Sequence, residues 1–509
     1  MSRTANSIRN VAASIFGQLL NNVLRFVCRT VFIYTLGKEY LGIASLYTNI
    51  LSLLNMTELG FSTAITYSLY KPLAEQNSEE ICSLMQFYKK AYRTIGLIIF
   101  SAGLCLMPFL PKLMNGTTDK VNIYLYFFLY LMQTVVSYLF FAYKATLLDA
   151  DQKRYITDIV VYIVQVTMNL IQILILITLR SFFLYTVVSV VSYIVQNMVT
   201  AIVVDRKYPY LKEKAGNLSK EKQNAVFKQV YATSLYRICN TIGSSTDNLI
   251  ISTYISVVMV GLYDNYNMII MIIQKLIQGI VQAFTSSLGN LYVLEGKEKN
   301  EFTFRCLNRL NSWMVAFCSV CFLVLLQPFV ELWAGMDFLL DYRVVVIIVL
   351  NFATNFMQLV VQNYKNASGL FLKGKYRPVA TVILNLGISI ILVKHIGLSG
   401  VFLGSIISRL TTTWWFDAWI LYRHGFEKSP IGYYMDCIVT VGLIYGTTVL
   451  IRWICLPWAA VSWMGIIIRG TACVIIFHVV YIMIYGKSEE MHYLKEKCLY
   501  LIRMRTGCR

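Results

Sequence analysis

The chain has 509 residues, 57% hydrophobic and only 14% charged, with a formal net charge of +19 and a mean hydropathy of +0.60. A soluble domain carries roughly 25% charged residues, so these values exclude an ordinary water-soluble protein. The Lys and Arg surplus is not gathered into a soluble basic domain, which excludes nucleic-acid binding as well.

A helix crosses the bilayer with about 20 mostly apolar residues. Such stretches occur near 10–36, 40–70, 94–114, 121–147, 156–179, 182–204, 230–254, 260–284, 306–330, 343–368, 378–396, 399–421, 433–455 and 460–485. They predict an all-α polytopic membrane protein of about 14 transmembrane helices. With the N-terminus placed in the cytoplasm, most of the 45 Lys+Arg fall in the even-numbered connections and at the two termini. The positive-inside rule then sets both termini on the cytoplasmic side. No signal peptide is read, because the first apolar segment is too long and carries internal arginines.

The first stretch holds a polar stripe: Gln18, Asn22, Arg25 and Arg29, at spacings of 4, 3 and 4. Arg237, Thr241, Ser244 and Asn248 repeat those spacings later, again inside an apolar segment. Residues so spaced share one helix face. An arginine at the centre of a lipid-embedded helix costs about 2.5–3.5 kcal/mol even on lenient insertion scales. Both faces should therefore point to protein or to a water-filled cavity.

The stripes are related by an offset of about 219 residues, which also aligns Leu41-Gly42-Ile43 with Val260-Gly261-Leu262 and Tyr47 with Tyr266. Tyr143-Lys144 aligns with Tyr364-Lys365 at nearly the same offset. These matches predict a duplicated architecture of two pseudo-symmetric six-helix lobes around a central cationic cavity, plus two C-terminal helices. The expected organisation is an N-terminal lobe (1–204), a basic cytoplasmic linker (205–229) and a C-terminal lobe (230–421). Helices 13 and 14 (422–486) and a basic cytoplasmic tail (487–509) follow. The tail should lie against anionic lipid headgroups.

Enzyme chemistry finds no support. The 12 cysteines are scattered, mostly within expected helices, and the four histidines are far apart in sequence, so no metal spacing emerges. No GxxxxGK[ST] loop is present. The acids expected deepest in the membrane are Asp247 and Glu58, candidates for binding a coupling ion. Asp264, Asp417 and Asp436 fall nearer helix ends and are expected to be solvated. Trp414, Trp415 and Trp419 are expected to form an interfacial belt.

The segment Glu58-Leu-Gly-Phe-Ser-Thr-Ala-Ile-Thr-Tyr-Ser-Leu-Tyr-Lys-Pro-Leu-Ala-Glu75 resembles the second-helix signature of bacterial oligosaccharide flippases. Ser245-Thr-Asp-Asn-Leu-Ile-Ile-Ser252, Val260-Gly-Leu-Tyr-Asp-Asn-Tyr266 and Gln327-Pro-Phe-Val-Glu-Leu-Trp333 extend the resemblance. In order and spacing they are similar to the Wzx-like polysaccharide biosynthesis proteins of the multidrug/oligosaccharidyl-lipid/polysaccharide (MOP) exporter superfamily. The resemblance implies flipping of undecaprenyl-diphosphate-linked oligosaccharide across the bacterial cytoplasmic membrane, for capsule, O-antigen or exopolysaccharide assembly. Its implied partners are that lipid, membrane lipids and polysaccharide polymerase or export machinery, with the monomer as the functional unit.

On this view Arg25, Arg29, Arg237 and Arg409 are expected to contact the diphosphate. Gln18, Asn22, Thr241, Ser244, Asn248, Tyr47 and Tyr266 are expected to line the cavity for the sugars. No cofactor is expected beyond a coupling H⁺ or Na⁺ gradient, bound at Asp247 and Glu58, or the membrane potential. Two alternatives stay open within the superfamily: a peptidoglycan-precursor flippase, and a multidrug exporter, which would want an acidic cavity. A third is a membrane scaffold for a polysaccharide synthase, for which the cavity arginines would be dispensable.

Overall fold

The computed structural model describes residues 3–55, 61–115, 122–212, 218–294, 296–368, 370, 377–458 and 461–496. The described chain is all-α. Among the described residues nine helices are long and apolar enough to cross a membrane, or ten if one bent pair counts as a single span. The protein is a multi-pass membrane protein.

By packing, the chain divides into two compact units, Met1–Gly261 and Leu262–Arg509. In unit 1 the helices are α1 (Arg3–Leu54), α2 (Phe61–Ala74), α3 (Ser78–Leu106), the short α4 (Leu110–Leu113), α5 (Ile123–Leu139), α6 (Ala145–Ala150), α7 (Arg154–Leu179), α8 (Phe182–Lys207) and α9 (Lys220–Tyr254). Then α10 (Val257–Leu294) crosses the boundary. Unit 2 continues with α11 (Lys297–Ala334), α12 (Tyr342–Phe356), α13 (Leu359–Ala367), α14 (Arg377–Ile396), α15 (Leu398–Arg409), α16 (Trp415–Leu421), α17 (Ile431–Ile454) and α18 (Trp463–Tyr485).

Within unit 1, α1 packs along α7, α7 along α8, and α8 against α5, while α9 packs against α1 and α2. Helix α1 holds the expected first span and the start of the second, which runs on to α2, and the two join at Gly37, whose φ of 82° breaks the helix; that left-handed region suits glycine because it has no Cβ. The expected third span begins sixteen residues early, at Ser78. Asn77 caps it by accepting from the Glu80 N–H at 3.1 Å, and Glu79 and Glu80 sit favourably in the first turn. The expected span at 121–147 is bent by 46° between α5 and α6. Part of the polar linker is held down: the Tyr208 hydroxyl donates to Asp151 Oδ2 at 2.5 Å, and Cys82 Sγ donates to the Tyr210 carbonyl.

The repeat-related glycines Gly42 and Gly261 meet within unit 1. A Cβ built on Gly261 would lie 2.7 Å from the Gly42 nitrogen, and one on Gly42 would lie 2.1 Å from the Val257 carbonyl oxygen. Small residues of this kind let membrane helices approach closely. Ser52 Oγ and Ser245 Oγ, 2.8 Å apart, join α1 to α9 nearby.

Within unit 2, α14 and α15 form a tight hairpin. Asn385 Nδ2 donates to Ser405 Oγ at 2.8 Å, and Ser389 Oγ donates to the Val401 carbonyl at 3.0 Å. A π-helical turn over Leu410–Trp414 leads from α15 into α16. Helices α17 and α18 both pack on α11. Arg309 of α11 holds both oxygens of Asp436 on α17 at 3.1 Å, and its guanidinium lies 3.9 Å over the Tyr485 ring at the end of α18.

Equivalent roles recur in the two units. Tyr47 and Tyr266 are both fully buried. The Tyr47 hydroxyl donates to the Ile123 carbonyl at 2.7 Å. The Tyr266 hydroxyl donates to Gln327 Oε1 at 2.6 Å and accepts from the Leu340 N–H at 3.2 Å. Tyr143 meets Tyr88 edge to face in unit 1, as Tyr364 meets Phe304 in unit 2.

Candidate substrate site

Unit 1 contains a cavity of about 130 Å³ reached by four helices. Helix α1 contributes Arg25 and α5 contributes Gln133. Helix α7 contributes Gln165, Met168, Asn169 and Gln172, and α8 contributes Ser189, Ser192, Tyr193 and Gln196. On α7 and again on α8 these positions follow an i, i+3, i+4, i+7 pattern, so each helix turns one polar face inward. The opposite faces are apolar and exposed, as at Leu170, Leu174 and Ile177, which suits contact with lipid.

The wall is cationic and amide-rich. Arg25 is exposed to the cavity, and no carboxylate lines it among the described residues. Gln172 is buried, with Nε2 donating to Ser189 Oγ at 2.7 Å and to the Tyr185 carbonyl at 3.2 Å. Gln165 Oε1 is buried without a hydrogen-bond partner among the described residues. A guanidinium can grip phosphate oxygens through paired N–H groups. The amides can both donate and accept.

Of the residues singled out from sequence, Arg25 lines this cavity. Arg29, one turn further along α1, is half-buried and acts electrostatically on Tyr130 and Tyr185. Asn22 is half-buried on the same helix, and Thr241 and Asp247 are half-buried on α9. Asn248 is buried, with Oδ1 unpartnered among the described residues. The side chains of Gln18, Arg237 and Ser244 lie outside the described residues, and Glu58 lies outside them altogether. Tyr47 and Tyr266 are packed in the interior and are not among the residues that line the cavity.

Arg409 is held by protein groups. Its Nη1 donates to the Asn351 carbonyl at 3.0 Å and to Thr354 Oγ1 at 2.9 Å, and its Nη2 donates to Asn351 Oδ1 at 3.0 Å. Asp417 corrects the expectation of a solvated acid: it is fully buried, 2.6 Å from Lys365 Nζ, and also paired with Arg377. Burial without solvent requires such partners, and these come from segments distant in sequence. The cysteines need a correction too. Cys318 and Cys321 form a Cys-x-x-Cys spacing on α11, and both are free thiols. No group of three or more metal-ligating side chains occurs among the described residues.

The amide faces of α7 and α8 are not among the residues singled out from sequence, because neutral polar side chains stand out less in an apolar span than arginines do. Their signal was nevertheless present as Gln165, Asn169 and Gln172 at spacings of 4 and 3, the same rule that exposed the α1 stripe.

The description "Polysaccharide biosynthesis protein" matches residues 7–285. No protein with a curated description matches the sequence. Among solved structures, the chain is similar to the lipid II flippase MurJ in an inward closed conformation, at 15% identity and a TM-score of 0.66, covering 94% of this chain and 99% of that one. It is also similar to a multidrug resistance MATE family transporter of the MOP superfamily in an inward-facing conformation, at 15% identity and a TM-score of 0.62, covering 79% and 94%. A variant of the Vibrio cholerae MATE transporter VcmN aligns at 13% identity with a TM-score of 0.56, covering 83% and 98%. At such identities the structural likenesses establish the fold. The match over 7–285 establishes the family: the chain belongs to the polysaccharide biosynthesis proteins, as the Wzx-like resemblance implied.

Proposed function

We propose that the protein is a flippase that carries an undecaprenyl-diphosphate-linked oligosaccharide from the inner to the outer leaflet of a bacterial cytoplasmic membrane, with both of its termini on the cytoplasmic side. The physical problem is the headgroup. Each sugar hydroxyl moved into hydrocarbon without a replacement hydrogen bond costs several kcal/mol, and the diphosphate adds charge. A hydrated, hydrogen-bonding path through the protein removes most of that barrier, while the lipid tail stays in the bilayer.

The observation that carries this reading is the wall chemistry of the unit 1 cavity, where Arg25 stands among amides and hydroxyls with no acid in the described lining. A cavity for cationic drugs would need carboxylates, so the same observation weighs against a multidrug exporter. Arg25 and Arg29 are the diphosphate contacts in this account, joined by Arg237. Asn22, Thr241 and Asn248 offer hydrogen bonds to the glycan. Membership of the polysaccharide biosynthesis family supports a glycan-bearing lipid as the cargo and polymerase or export machinery as its next acceptor.

Transport of the anionic headgroup outward, away from the negative interior, gains about 2.3 kcal/mol per charge per 100 mV. The membrane potential is therefore the proposed driving force, with ion binding at Asp247 and Glu58 as the competing route. Collapsing pH, Na⁺ and voltage gradients separately in proteoliposomes decides between them. Loss of flipping with voltage alone removes both acids from coupling; loss with the pH or Na⁺ gradient alone overturns the voltage-driven mechanism.

A further inference from the structure

The unit 1 cavity is richer in neutral hydrogen-bonding groups than phosphate binding requires. A phosphate wants donors only, because its oxygens accept hydrogen bonds and its charge repels carbonyl oxygens. Five carboxamides (Gln133, Gln165, Asn169, Gln172 and Gln196) line this wall beside Arg25, and each presents an acceptor as well as donors. Gln165 Oε1 is an acceptor that no described group satisfies, closed to solvent as it stands and brought to the cavity by a turn of the side chain. An orphaned buried acceptor costs about 1–3 kcal/mol, and an anion has no proton to give it.

A polyhydroxylated ring does. Sugar hydroxyls and an N-acetyl group donate and accept in equal measure, and so match a carboxamide wall. The cavity volume of about 130 Å³ exceeds the roughly 30 Å³ share of one water, so it accommodates several waters or the hydroxyl-bearing edge of one pyranose. Met168 and Tyr193 supply apolar and aromatic surface in the same wall, suited to the C–H face of such a ring.

We propose that the cavity bounded by α1, α5, α7 and α8 inside unit 1 is the subsite for the sugar attached directly to the lipid diphosphate, with Arg25 on the phosphate side and Gln165, Asn169 and Gln196 reading ring hydroxyls. This rests on the flippase reading above and deepens it. It assigns glycan recognition to α7 and α8, and sets Gln172 apart as the residue that orients Ser189.

The test is binding of defined lipids to the full-length protein in detergent, followed by native mass spectrometry. The probes are undecaprenyl diphosphate bare, bearing one N-acetylglucosamine, and bearing one galactose. At least one sugar-bearing lipid should bind about tenfold tighter than the bare lipid. The double variant Gln165→Leu with Asn169→Leu should lose that preference while keeping its affinity for the bare lipid, which also reports that it is folded. Gln196→Leu, on the facing helix, provides a second and independent loss. Arg25→Ala should weaken binding of all three lipids.

Equal affinity of the parent for bare and sugar-bearing lipids overturns the subsite and leaves the flippase reading standing, with the cavity simply water-filled. So does a preference that survives in both folded variants. Failure of the parent to bind any of the three lipids overturns the flippase reading itself, and the subsite with it.

Discussion

Lys365 Nζ lies 2.6 Å from Asp417 Oδ1, with both side chains almost wholly removed from solvent. The relationship is repeated in the other unit, where Lys144 Nζ lies 2.5 Å from Asp205 Oδ1. Lys144 and Lys365 are the repeat-matched lysines of two Tyr-Lys pairs. In each unit the lysine pairs with an acid on a later helix, α8 in one case and α16 in the other. The two matched Tyr-Lys pairs thus share a lysine–carboxylate interaction as well as a sequence pattern.

The two pairs differ in depth, and this makes them separable by mutation. Asp417 also holds Arg377, so Asp417→Asn strands two buried cations at once. Breaking a buried pair costs about 3–5 kcal/mol; that loss is expected here as a fall in thermal stability in detergent. Lys365→Met leaves Asp417 its Arg377 partner and should cost less. Asp205→Asn, at a site where the acid is 32% exposed, should cost less than Asp417→Asn.

Gly42 and Gly261 make a steric prediction. Alanine at either position places a Cβ within 2.1–2.7 Å of backbone atoms, and overpacking of this kind costs about 1–3 kcal/mol. Gly387, which has nothing within 4 Å of an added Cβ, is the control. Gly387→Ala should leave thermal stability unchanged or raise it, since alanine is the better helix former.

Tyr266→Phe should destabilise more than Tyr47→Phe. Removing the Tyr266 hydroxyl strands both Gln327 Oε1 and the Leu340 N–H, whereas removing that of Tyr47 strands chiefly the Ile123 carbonyl. An unsatisfied buried group costs about 1–3 kcal/mol. Denaturation of the two variants in the same detergent measures the difference. Flipping by the folded fraction should be retained in both, because neither ring lines the unit 1 cavity.

Arg409→Ala and Arg25→Ala should fail in different ways. Arg409 makes three hydrogen bonds to Asn351 and Thr354 of α12, so its loss should appear as lowered stability. Arg25 faces a cavity, and its removal should leave the melting temperature within a few degrees of the parent.

The helical frame was readable from the sequence wherever a span was uniformly apolar. The expected 156–179 and 182–204 correspond to α7 and α8 at Arg154–Leu179 and Phe182–Lys207. Legibility failed where helices carry charge beyond the apolar stretch: Ser78–Arg93 holds two glutamates, two lysines and an arginine, yet continues as α3 without a break. Of the positions matched in sequence, Gly42 and Gly261 make a close backbone approach and Tyr47 and Tyr266 are interior anchors. What sequence could not show was pairing at a distance. Asp417 stands 40 residues from Arg377 and 52 from Lys365, and only folding reveals that it is buried. Arg25 was visible as an intramembrane charge; the amides that share its cavity sit on α5, α7 and α8 and are joined to it only by packing.

The most direct measurement is flipping in proteoliposomes loaded with undecaprenyl-diphosphate oligosaccharide, scored by accessibility of the glycan to an added glycosidase. The parent should flip, and Arg25→Ala, folded and equally reconstituted, should flip at least about tenfold more slowly. Parent-level flipping by Arg25→Ala would contradict the account, leaving the arginine a bystander to transport; no flipping by the parent with its native lipid would point instead to a scaffold.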